Sequence, residues 1–339
     1  MNSKTLLPSG LMDVLPPYAA GEFRLIHHFL KSFMGFGYQP VIPPLAEYEN
    51  SMLAGQGEAT SHHVFRVADP LSGEMLALRA DMTGQIARIA GESLGNAPRP
   101  LRLCYAGYTL RTTPDALKTR RQYTQVGIER FGSIGTGALA EVIAIAIHAL
   151  STAADKKLTL DLHYPAVLEQ LLANTPATQQ PAIREAVRLK DAARLRQLDA
   201  APIATLLESA GNADRAIKAL RSADIPAEAL GELAALVAAL KQQQIDATVT
   251  IDLLDLAGYE YYCGIGYAIY WQDPAIEVAR GGCYRTTHGE EAVGFTLYID
   301  DLLTHLPTEA APPSVIIPGG TPAAEAAKKQ AEGFITLYE

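Results

Sequence analysis

Two pairs of polar residues in this chain have spacings that place their side chains on one side of an extended backbone. In "LRADMTG", Asp81 and Thr83 are two residues apart, and in "RQYTQVGIERFG", Gln125 and Glu129 are four apart. Alternate residues of a strand point to the same face, so each pair shares a face if its segment is extended. A carboxylate binds an ammonium group or a cationic ring through charge-assisted hydrogen bonds. The pattern therefore predicts a polar pocket for a small charged molecule.

Tyrosines next to glycines accompany these polar residues. The segment "GYEYYCGIGY" contains Tyr262, and "RGGCY" ends at Tyr284. A tyrosine provides an apolar wall with a polar tip. Together with the carboxylates, these side chains fit a small zwitterion that carries a polar ring.

Each of these residues also has a purely structural interpretation. Gln125 and Glu129 could lie on a solvated face of the sheet, and a tyrosine more often packs than contacts a ligand. The glycines at 258–266 lack the G-x-G-x-x-G spacing of a nucleotide-binding loop. His62 and His63 are adjacent and would point apart on a strand, so we expect no metal site there. We expect no cofactor either.

The chain around these residues alternates between segments with helical patterns and segments with strand-like patterns. Apolar residues at helical spacing predict a helix over residues 18–36. Strand-like text runs from about Val64 to Phe131. Within it, "LRLCYAGYTLR" and "RQYTQVGIERFG" read as an antiparallel pair. Gly135 and Gly137 precede an Ala-rich helix that extends to about Ala153.

The sequence of the second half of the chain predicts a helical insertion followed by further strands. Residues 164–243 are rich in Ala, Leu, Arg and Gln and are interrupted by Pro181, Gly211 and Pro226, which indicates several short helices. A strand-like pattern resumes at "TVTIDLLDL", and the pattern of the tail predicts one βαβ unit. We therefore divide the chain into a core (1–163), an insertion (164–245), a second core part (246–310) and a short tail (311–339).

Composition narrows the class of protein. The chain has 339 residues, of which 48% are hydrophobic and 19% charged, as in ordinary globular proteins. A net charge of -9 does not favour nucleic-acid binding, which needs clustered cations. Three cysteines without metal-like spacing favour a reducing compartment. No basic, apolar leader and no apolar run of about 20 residues is present. We therefore expect a cytoplasmic protein that spans no membrane.

The order of the motifs resembles the catalytic domain of histidyl-tRNA synthetases, which are class II synthetases. The similar segments are "LPSGLMDVLPP", "LALRADMTGQIAR", "RRQYTQVGIERFG", "AGYEYYCG" and "RGGCYR". The first precedes the family's motif 1 region, the third matches its motif 2 strand, and the fourth stands where the family has R-G-L-D-Y-Y. The resemblance covers residues 7–305. It implies an α+β fold with a class II antiparallel sheet flanked by helices and a small helical insertion.

The resemblance assigns histidine binding to seven residues. They match the positions that hold the amino acid in the family, with an aspartate in place of a glutamate at the first of them: Asp81, Thr83, Arg111, Gln125, Glu129, Tyr262 and Tyr284. Gln125 and Glu129 together can satisfy both nitrogens of an imidazole ring. The resemblance therefore favours L-histidine as the ligand.

The positions that handle ATP in the family differ in this chain. Thr113 stands for the glutamate of motif 2, Thr119 for a basic residue, and Ala257 and Asp301 for two arginines. Neutralising a polyphosphate depends on such cations. The resemblance therefore implies that adenylate formation is lost.

This combination resembles the regulatory subunits of ATP phosphoribosyltransferase, a synthetase-like family. Only a short tail follows Pro313, where synthetases have an anticodon-binding domain of about a hundred residues. The resemblance implies a homodimer that joins a short-form catalytic subunit in a hetero-octamer and mediates feedback inhibition by histidine, without tRNA. The alternatives are an active histidine–tRNA ligase and another synthetase-like paralogue.

Overall fold

The computed structural model describes residues 6–54, 63–114, 119–132, 134–223, 225–255, 262–306 and 312–339. The helices in these ranges are α1 (Tyr18–Gly35), α2 (Glu49–Leu53), α3 (Thr83–Gly91), α4 (Thr136–Ala153), α5 (Pro165–Ala173), α6 (Gln180–Arg188), α7 (Ala192–Gln197), α8 (Ala201–Glu208), α9 (Ala213–Leu220), α10 (Ala227–Gln242), α11 (Ile299–His305) and α12 (Ala323–Ala331). The strands are β1 (Gln39–Pro40), β2 (Ala46–Tyr48), β3 (Arg66–Ala68), β4 (Met75–Leu78), β5 (Leu101–Leu110), β6 (Gln122–Phe131), β7 (Leu158–His163), β8 (Gly211–Asn212), β9 (Thr248–Ile251), β10 (Tyr262–Gln272), β11 (Ala275–Arg285), β12 (Glu291–Tyr298), β13 (Ser314–Ile317) and β14 (Ile335–Tyr338).

A nine-stranded sheet forms the centre of the molecule, in the order β1-β5-β6-β12-β11-β10-β7-β9-β8. The strands from β5 to β7 in this order pair antiparallel, as predicted. At the margins the sheet is mixed, because β1 pairs parallel with β5 and β7 pairs parallel with β9. Parallel neighbours need a long crossover, and both of these pairs are joined by connections that contain helices.

The predicted hairpin of β5 and β6 is confirmed. Leu101 pairs with Phe131 at one end and Leu110 with Gln122 at the other. Val126 and Ile128 of β6 face the main hydrophobic cluster with α1 and α4. Gln125 and Glu129 point to the opposite face.

Helices α1 and α4 cover the apolar face of the sheet. Phe33 of α1 meets Phe295 of β12 edge to face, with ring centroids 5.5 Å apart. Helix α4 is apolar around most of its circumference, as expected of a buried helix. By length and composition alone it could cross a membrane, but 56% of it is buried inside the fold. We therefore assign it as a core helix.

Helix α3 was not predicted, because we read residues 64–131 as strand-like. The Asp81 carboxylate accepts a hydrogen bond from the Thr83 backbone N–H at 2.8 Å, and the helix begins there. A short acidic side chain that accepts from an N–H two residues on stabilises a helix start. The "D-x-T" spacing is therefore the signature of a helix N-terminus, and the extended reading of Asp81 and Thr83 is wrong.

The predicted helical segment contains α5 to α10. Its buried leucines, such as Leu168, Leu195 and Leu236, belong to the same hydrophobic cluster as Leu160 of the central sheet. Strand β8 from this segment pairs with β9 at the edge of the sheet. The helices therefore pack on the sheet and share its core, and the proposed domain boundaries stay a prediction.

A buried polar contact joins β6 to two helices. Thr124 donates its hydroxyl hydrogen to Glu22 Oε1 of α1 at 2.7 Å and its backbone N–H to Asp300 Oδ2 of α11 at 2.7 Å. Arg120 Nη1 donates to Asp300 Oδ1 at 2.9 Å. Strand β6 therefore contacts α1 and α11 on the side opposite to Gln125.

The C-terminal βαβ unit is also confirmed. Strands β13 and β14 pair parallel, and α12 connects them. Ile316, Ile335 and Leu337 remain exposed on the face of this small sheet.

Candidate functional site

Gln125 and Glu129 are buried, with exposed fractions of 0% and 1%. The alternative of a solvated sheet face is therefore wrong for this strand. A buried polar group is retained at low cost only when it has hydrogen-bonding partners. Both side chains have such partners. They lie on one face of the sheet together with Gly127 of β6, Thr296 of β12 and Gly282 of β11, which we call the pocket face.

Gln125 joins β6 to the start of α3. Its Oε1 accepts from the Met82 backbone N–H at 3.0 Å, and its Nε2 donates to Asp81 Oδ2 at 2.8 Å. Asp81 in turn accepts from the Thr83 N–H. The predicted residues Asp81, Thr83 and Gln125 therefore form one hydrogen-bonded group.

Glu129 lies beside two tyrosine hydroxyls. Tyr284 donates to Oε2 at 2.8 Å, and Tyr105 lies 3.5 Å from Oε1. Burial raises the pKa of Glu129 to about 8, and the hydrogen bond from Tyr284 opposes this shift only in part. A hydrogen bond from Thr83 also acts on this carboxyl, which links Glu129 to the group around Asp81.

Sequence reasoning missed Tyr105 and Thr296. The Tyr105 hydroxyl lies 2.9 Å from the Thr296 hydroxyl, and both face the floor between Gln125 and Glu129. A Cβ on Gly127 would come within 2.5 Å of the Tyr105 hydroxyl, so the bare backbone at Gly127 makes space for this ring. The register of the strands would have identified both residues, because Tyr105 pairs with Gly127 and Gly127 pairs with Thr296.

Three glycines on adjacent strands form a row on the pocket face. Gly266 of β10 pairs with Gly282 of β11, and Gly282 with Gly294 of β12. A Cβ on Gly282 would lie 2.7 Å from the Tyr262 ring, and one on Gly294 would overlap the Glu129 carboxylate. The row therefore accommodates Tyr262 and Glu129, and Tyr262 also pairs with Tyr284 across the strands.

Arg111 lies at the end of β5, near the start of α3. Its guanidinium carbon is 5.2 Å from the centre of the Tyr123 ring, and Nε donates to the Ala80 carbonyl at 3.4 Å. It also lowers the pKa of Tyr298, which burial raises. Arg111 thus lies at the end of the pocket face that holds Asp81, whereas Tyr262 and Tyr284 lie at the other end.

Two of the residues at the ATP-handling positions have described surroundings. The Thr113 hydroxyl is exposed and contacts His63 Nδ1 at 2.5 Å. Asp301 is in the first turn of α11. Ala257 and residues 258–261 lie outside the described part of the chain.

Elsewhere, a surface groove of about 640 Å³ is lined by Phe36, Arg102, Glu141, His148 and residues 243–246, among others. None of the predicted site residues contributes to it. Among the described residues, no group of three or more His, Cys, Asp or Glu side chains is arranged to hold a metal ion.

Comparisons with known proteins match this chain to histidyl-tRNA synthetases and to ATP phosphoribosyltransferase regulatory subunits. The family model for histidyl-tRNA synthetase matches residues 10–302. The ATP phosphoribosyltransferase regulatory subunit of Paramagnetospirillum magneticum is 38% identical over 99% of this chain and 90% of its own length. That of Gluconobacter oxydans is also 38% identical, over the same shares.

Solved structures show the same fold. A regulatory subunit/histidyl-tRNA synthetase from Bacillus halodurans superimposes with a TM-score of 0.84 at 23% identity, over 99% of this chain and 92% of that one. A chain of the ATP phosphoribosyl transferase complex from Thermotoga maritima gives 0.66 at 20% identity, over 82% and 97%. The class II synthetase-like fold is therefore confirmed. With the family match and the full-length identity to its relatives, this chain belongs to the ATP phosphoribosyltransferase regulatory subunits, within the histidyl-tRNA synthetase family.

Proposed function

We propose that this regulatory subunit binds L-histidine on the pocket face and transmits its presence to a short-form ATP phosphoribosyltransferase catalytic subunit in the cytoplasm. The observation that carries the proposal is the burial of Gln125 and Glu129 on one strand face, each with positioned partners. The arrangement supports a binding site for a small polar ligand.

The chemistry of the pocket matches the groups of histidine. Asp81 supplies a carboxylate for the ammonium group, and Gln125 holds that carboxylate at 2.8 Å. Glu129 supplies a carboxyl group for the imidazole, with Tyr262 and Tyr284 around it. Arg111 adds a positive charge at the Asp81 end. A zwitterion with a polar ring pairs with all of these groups.

Activation of histidine is not part of the proposed function. Thr119, Ala257 and Asp301 stand at the positions of cations and provide none for a polyphosphate, and the carboxylate of Asp301 would repel one. We expect no histidine-dependent exchange of pyrophosphate with ATP and no charging of tRNA. Exchange above background that disappears in Arg111→Ala would instead support a histidine–tRNA ligase.

Assembly with other chains is part of the proposal. Most large apolar side chains that the described residues expose lie between Leu6 and Met75, including Phe23 (69%) and Ile42 (91%). A contiguous apolar patch on a surface is typical of an interface. We propose a homodimer through this region and a hetero-octamer with the catalytic subunit.

The test uses the mixed complex. A short-form catalytic subunit is assayed for phosphoribosyl transfer with this protein, with and without histidine, and with Glu129→Ala as the variant. We expect activation by the wild type, inhibition by histidine, and loss of that inhibition in the variant. Equal inhibition of both proteins would place the histidine sensor outside this pocket.

A further inference from the structure

The hydroxyl group of Tyr105 lies in the floor of the pocket, between Thr296 and Glu129. Only 1% of the Tyr105 side chain is exposed. Its hydroxyl oxygen is 2.9 Å from the Thr296 hydroxyl and 3.5 Å from Glu129 Oε1. The first distance is that of a well-formed hydrogen bond, whereas the second is at the limit of one. In the ligand-free pocket Tyr105 is therefore held mainly by Thr296.

The hydrogen bond between these two hydroxyl groups can run in either direction. A hydroxyl group has one O–H donor and also accepts, and at 2.9 Å either oxygen can be the donor. When Tyr105 donates to Thr296, its oxygen can accept a hydrogen bond from a protonated Glu129. When Thr296 donates to Tyr105, the Tyr105 O–H is available to an ionised Glu129. The pair therefore accommodates both charge states of this carboxyl group.

Glu129 is otherwise surrounded by hydroxyl groups and a second carboxylate. Burial, and then the negative charge of Asp81, raise the pKa of Glu129. Tyr284 of β11 and Thr83 at the start of α3 oppose this shift through hydrogen bonds. Two further titratable groups lie across the sheet and interact with Glu129, the buried phenols of Tyr38 and Tyr267. An ionised Glu129 therefore depends on the hydroxyl groups that donate to it.

We propose that Tyr105 is a positioning residue for Glu129, and that its hydroxyl turns from Thr296 to Glu129 when a protonated ring binds. The inference rests on the proposed function, because it requires a ligand whose ring can carry a proton. Where the free ring is neutral, the proton of the Glu129 carboxyl passes to the ring nitrogen. Where the ring is already an imidazolium, that proton goes to solvent.

Both routes end in the same ion pair. The ring cation is the counter-charge of the Glu129 carboxylate, so no buried charge is left unpaired. Tyr105 donates to this carboxylate, and Thr296 donates to Tyr105 in turn. A hydrogen bond to an ionised carboxylate is shorter and stronger than one to a neutral group, which favours the reversed direction. The pocket therefore selects a ring that is basic enough to take or keep the proton.

The test compares L-histidine with its 1,2,4-triazole analogue, whose ring has a similar shape and is far less basic. Calorimetry is carried out on the wild type, on Tyr105→Phe, and on Tyr164→Phe as a matched control. The Tyr164 hydroxyl also donates to a glutamate, Glu232 Oε2 at 2.8 Å, and its ring packs against the main hydrophobic cluster. We expect the wild type and the control to prefer histidine equally. In Tyr105→Phe this preference should fall by about tenfold or more, as expected for the loss of one hydrogen bond to a charged group.

A second variant separates positioning from packing. Thr296→Val replaces the hydroxyl with a methyl group of similar size, so the Tyr105 O–H keeps Glu129 and loses Thr296 as an acceptor. This favours the ionised carboxyl, and we expect the preference for histidine not to fall. A merely structural role of the hydroxyl pair would instead weaken the binding of both ligands alike in the two variants, and that result would overturn the inference.

A further measurement on the wild type needs no substitution. Calorimetry in buffers of different ionisation enthalpy counts the protons released on binding. At about pH 5.5 the free imidazole is protonated and Glu129 is neutral, so histidine should release about one proton and the triazole analogue none. No proton release with histidine, or an unchanged preference in Tyr105→Phe, overturns the inference while the proposed function stands. A wild-type protein that binds neither ligand overturns both.

Discussion

Glu129 loses its contact with water when the chain folds, and this determines its charge. Its pKa is raised to about 8, mainly by burial. A carboxyl with this pKa is largely protonated at neutral pH, whereas in the unfolded chain it is ionised. The ligand-free pocket therefore holds a neutral acid, which would ionise when an imidazolium ring binds and would release its proton to solvent.

The first prediction concerns pH and stability. Between the unfolded pKa of Glu129, near 4.5, and its folded pKa, about 8, unfolding releases a proton, so the free energy of unfolding falls as pH rises. His163, with its pKa lowered to about 4 by burial, and Asp161, raised to about 6, change charge below about pH 6.5. In denaturation experiments on the ligand-free wild type, the free energy of unfolding should therefore fall between pH 6.5 and 8. For Glu129→Gln, the free energy of unfolding should change little over this range. Parallel curves for both proteins would contradict the assignment.

The second prediction concerns affinity. Gln125→Ala and Glu129→Ala should each weaken histidine binding by about 1–3 kcal/mol. Glu129→Ala leaves a polar group of the bound ligand without its partner, and Gln125→Ala releases the Asp81 carboxylate that Gln125 holds in place. Glu185→Ala, at an exposed ion pair of α6, serves as the control and should bind normally. Calorimetry with unchanged affinity in both pocket variants would place the ligand elsewhere.

At the scale of the elements, the antiparallel register of β10, β11 and β12 aligns three glycines under the side chains of the site. A sheet normally carries side chains of ordinary size on a buried face. Here the missing Cβ atoms let Tyr262 and Glu129 lie flat on the sheet. The shape of the pocket therefore depends on positions that have no functional group.

The third prediction tests this row. Gly294→Ala places a Cβ against the Glu129 carboxylate and 2.4 Å from the Ile128 carbonyl, so the strand or Glu129 must move. We expect destabilisation of about 1–3 kcal/mol and weaker histidine binding. Gly231→Ala in α10 is the matched control, because no atom lies within 4 Å of its Cβ position and alanine favours a helix. Equal thermal melting and affinity in both variants would show that the row is not needed.

The elements differ in how far sequence could predict them. The alternation in β6 predicted the face of Gln125 and Glu129, and helical spacing predicted α1, because both signals are local in the chain. Helix α3 was missed, since its nine residues follow a strand-like segment and the hydrogen bond from the Thr83 N–H to Asp81 at its start is not visible in an alternation pattern. Tyr105 was missed although it lies opposite Gly127 in the predicted hairpin. Thr296 and the glycine row depend on which distant strands become neighbours, and a register between distant segments is not visible in one sequence.

At the scale of the whole molecule, the fourth prediction concerns self-association. Phe23→Glu and Ile42→Asp place charges in the exposed apolar region between Leu6 and Met75, and burying an unpaired charge at an interface is unfavourable. We expect a dimer for the wild type and a monomer for the double variant in sedimentation experiments. Leu189→Asp, at a side chain that is 59% exposed in the helical segment, is the control and should remain dimeric. A monomeric wild type would exclude the proposed interface.

The contact of Thr124 with Glu22 has a consequence for how the protein would behave at different dilutions. Thr124 is the neighbour of Gln125 in β6, and Glu22 is the neighbour of Phe23 in α1. Gln125 of the proposed site is therefore adjacent in sequence to the residue that contacts α1. On α1, the residue that makes this contact is adjacent to Phe23 of the proposed interface. If histidine binds the dimer and the monomer with different affinity, mass action ties occupancy of the pocket to association of subunits. The apparent dissociation constant for histidine would vary with total protein concentration, and a titration at a single concentration would record only one point of that curve.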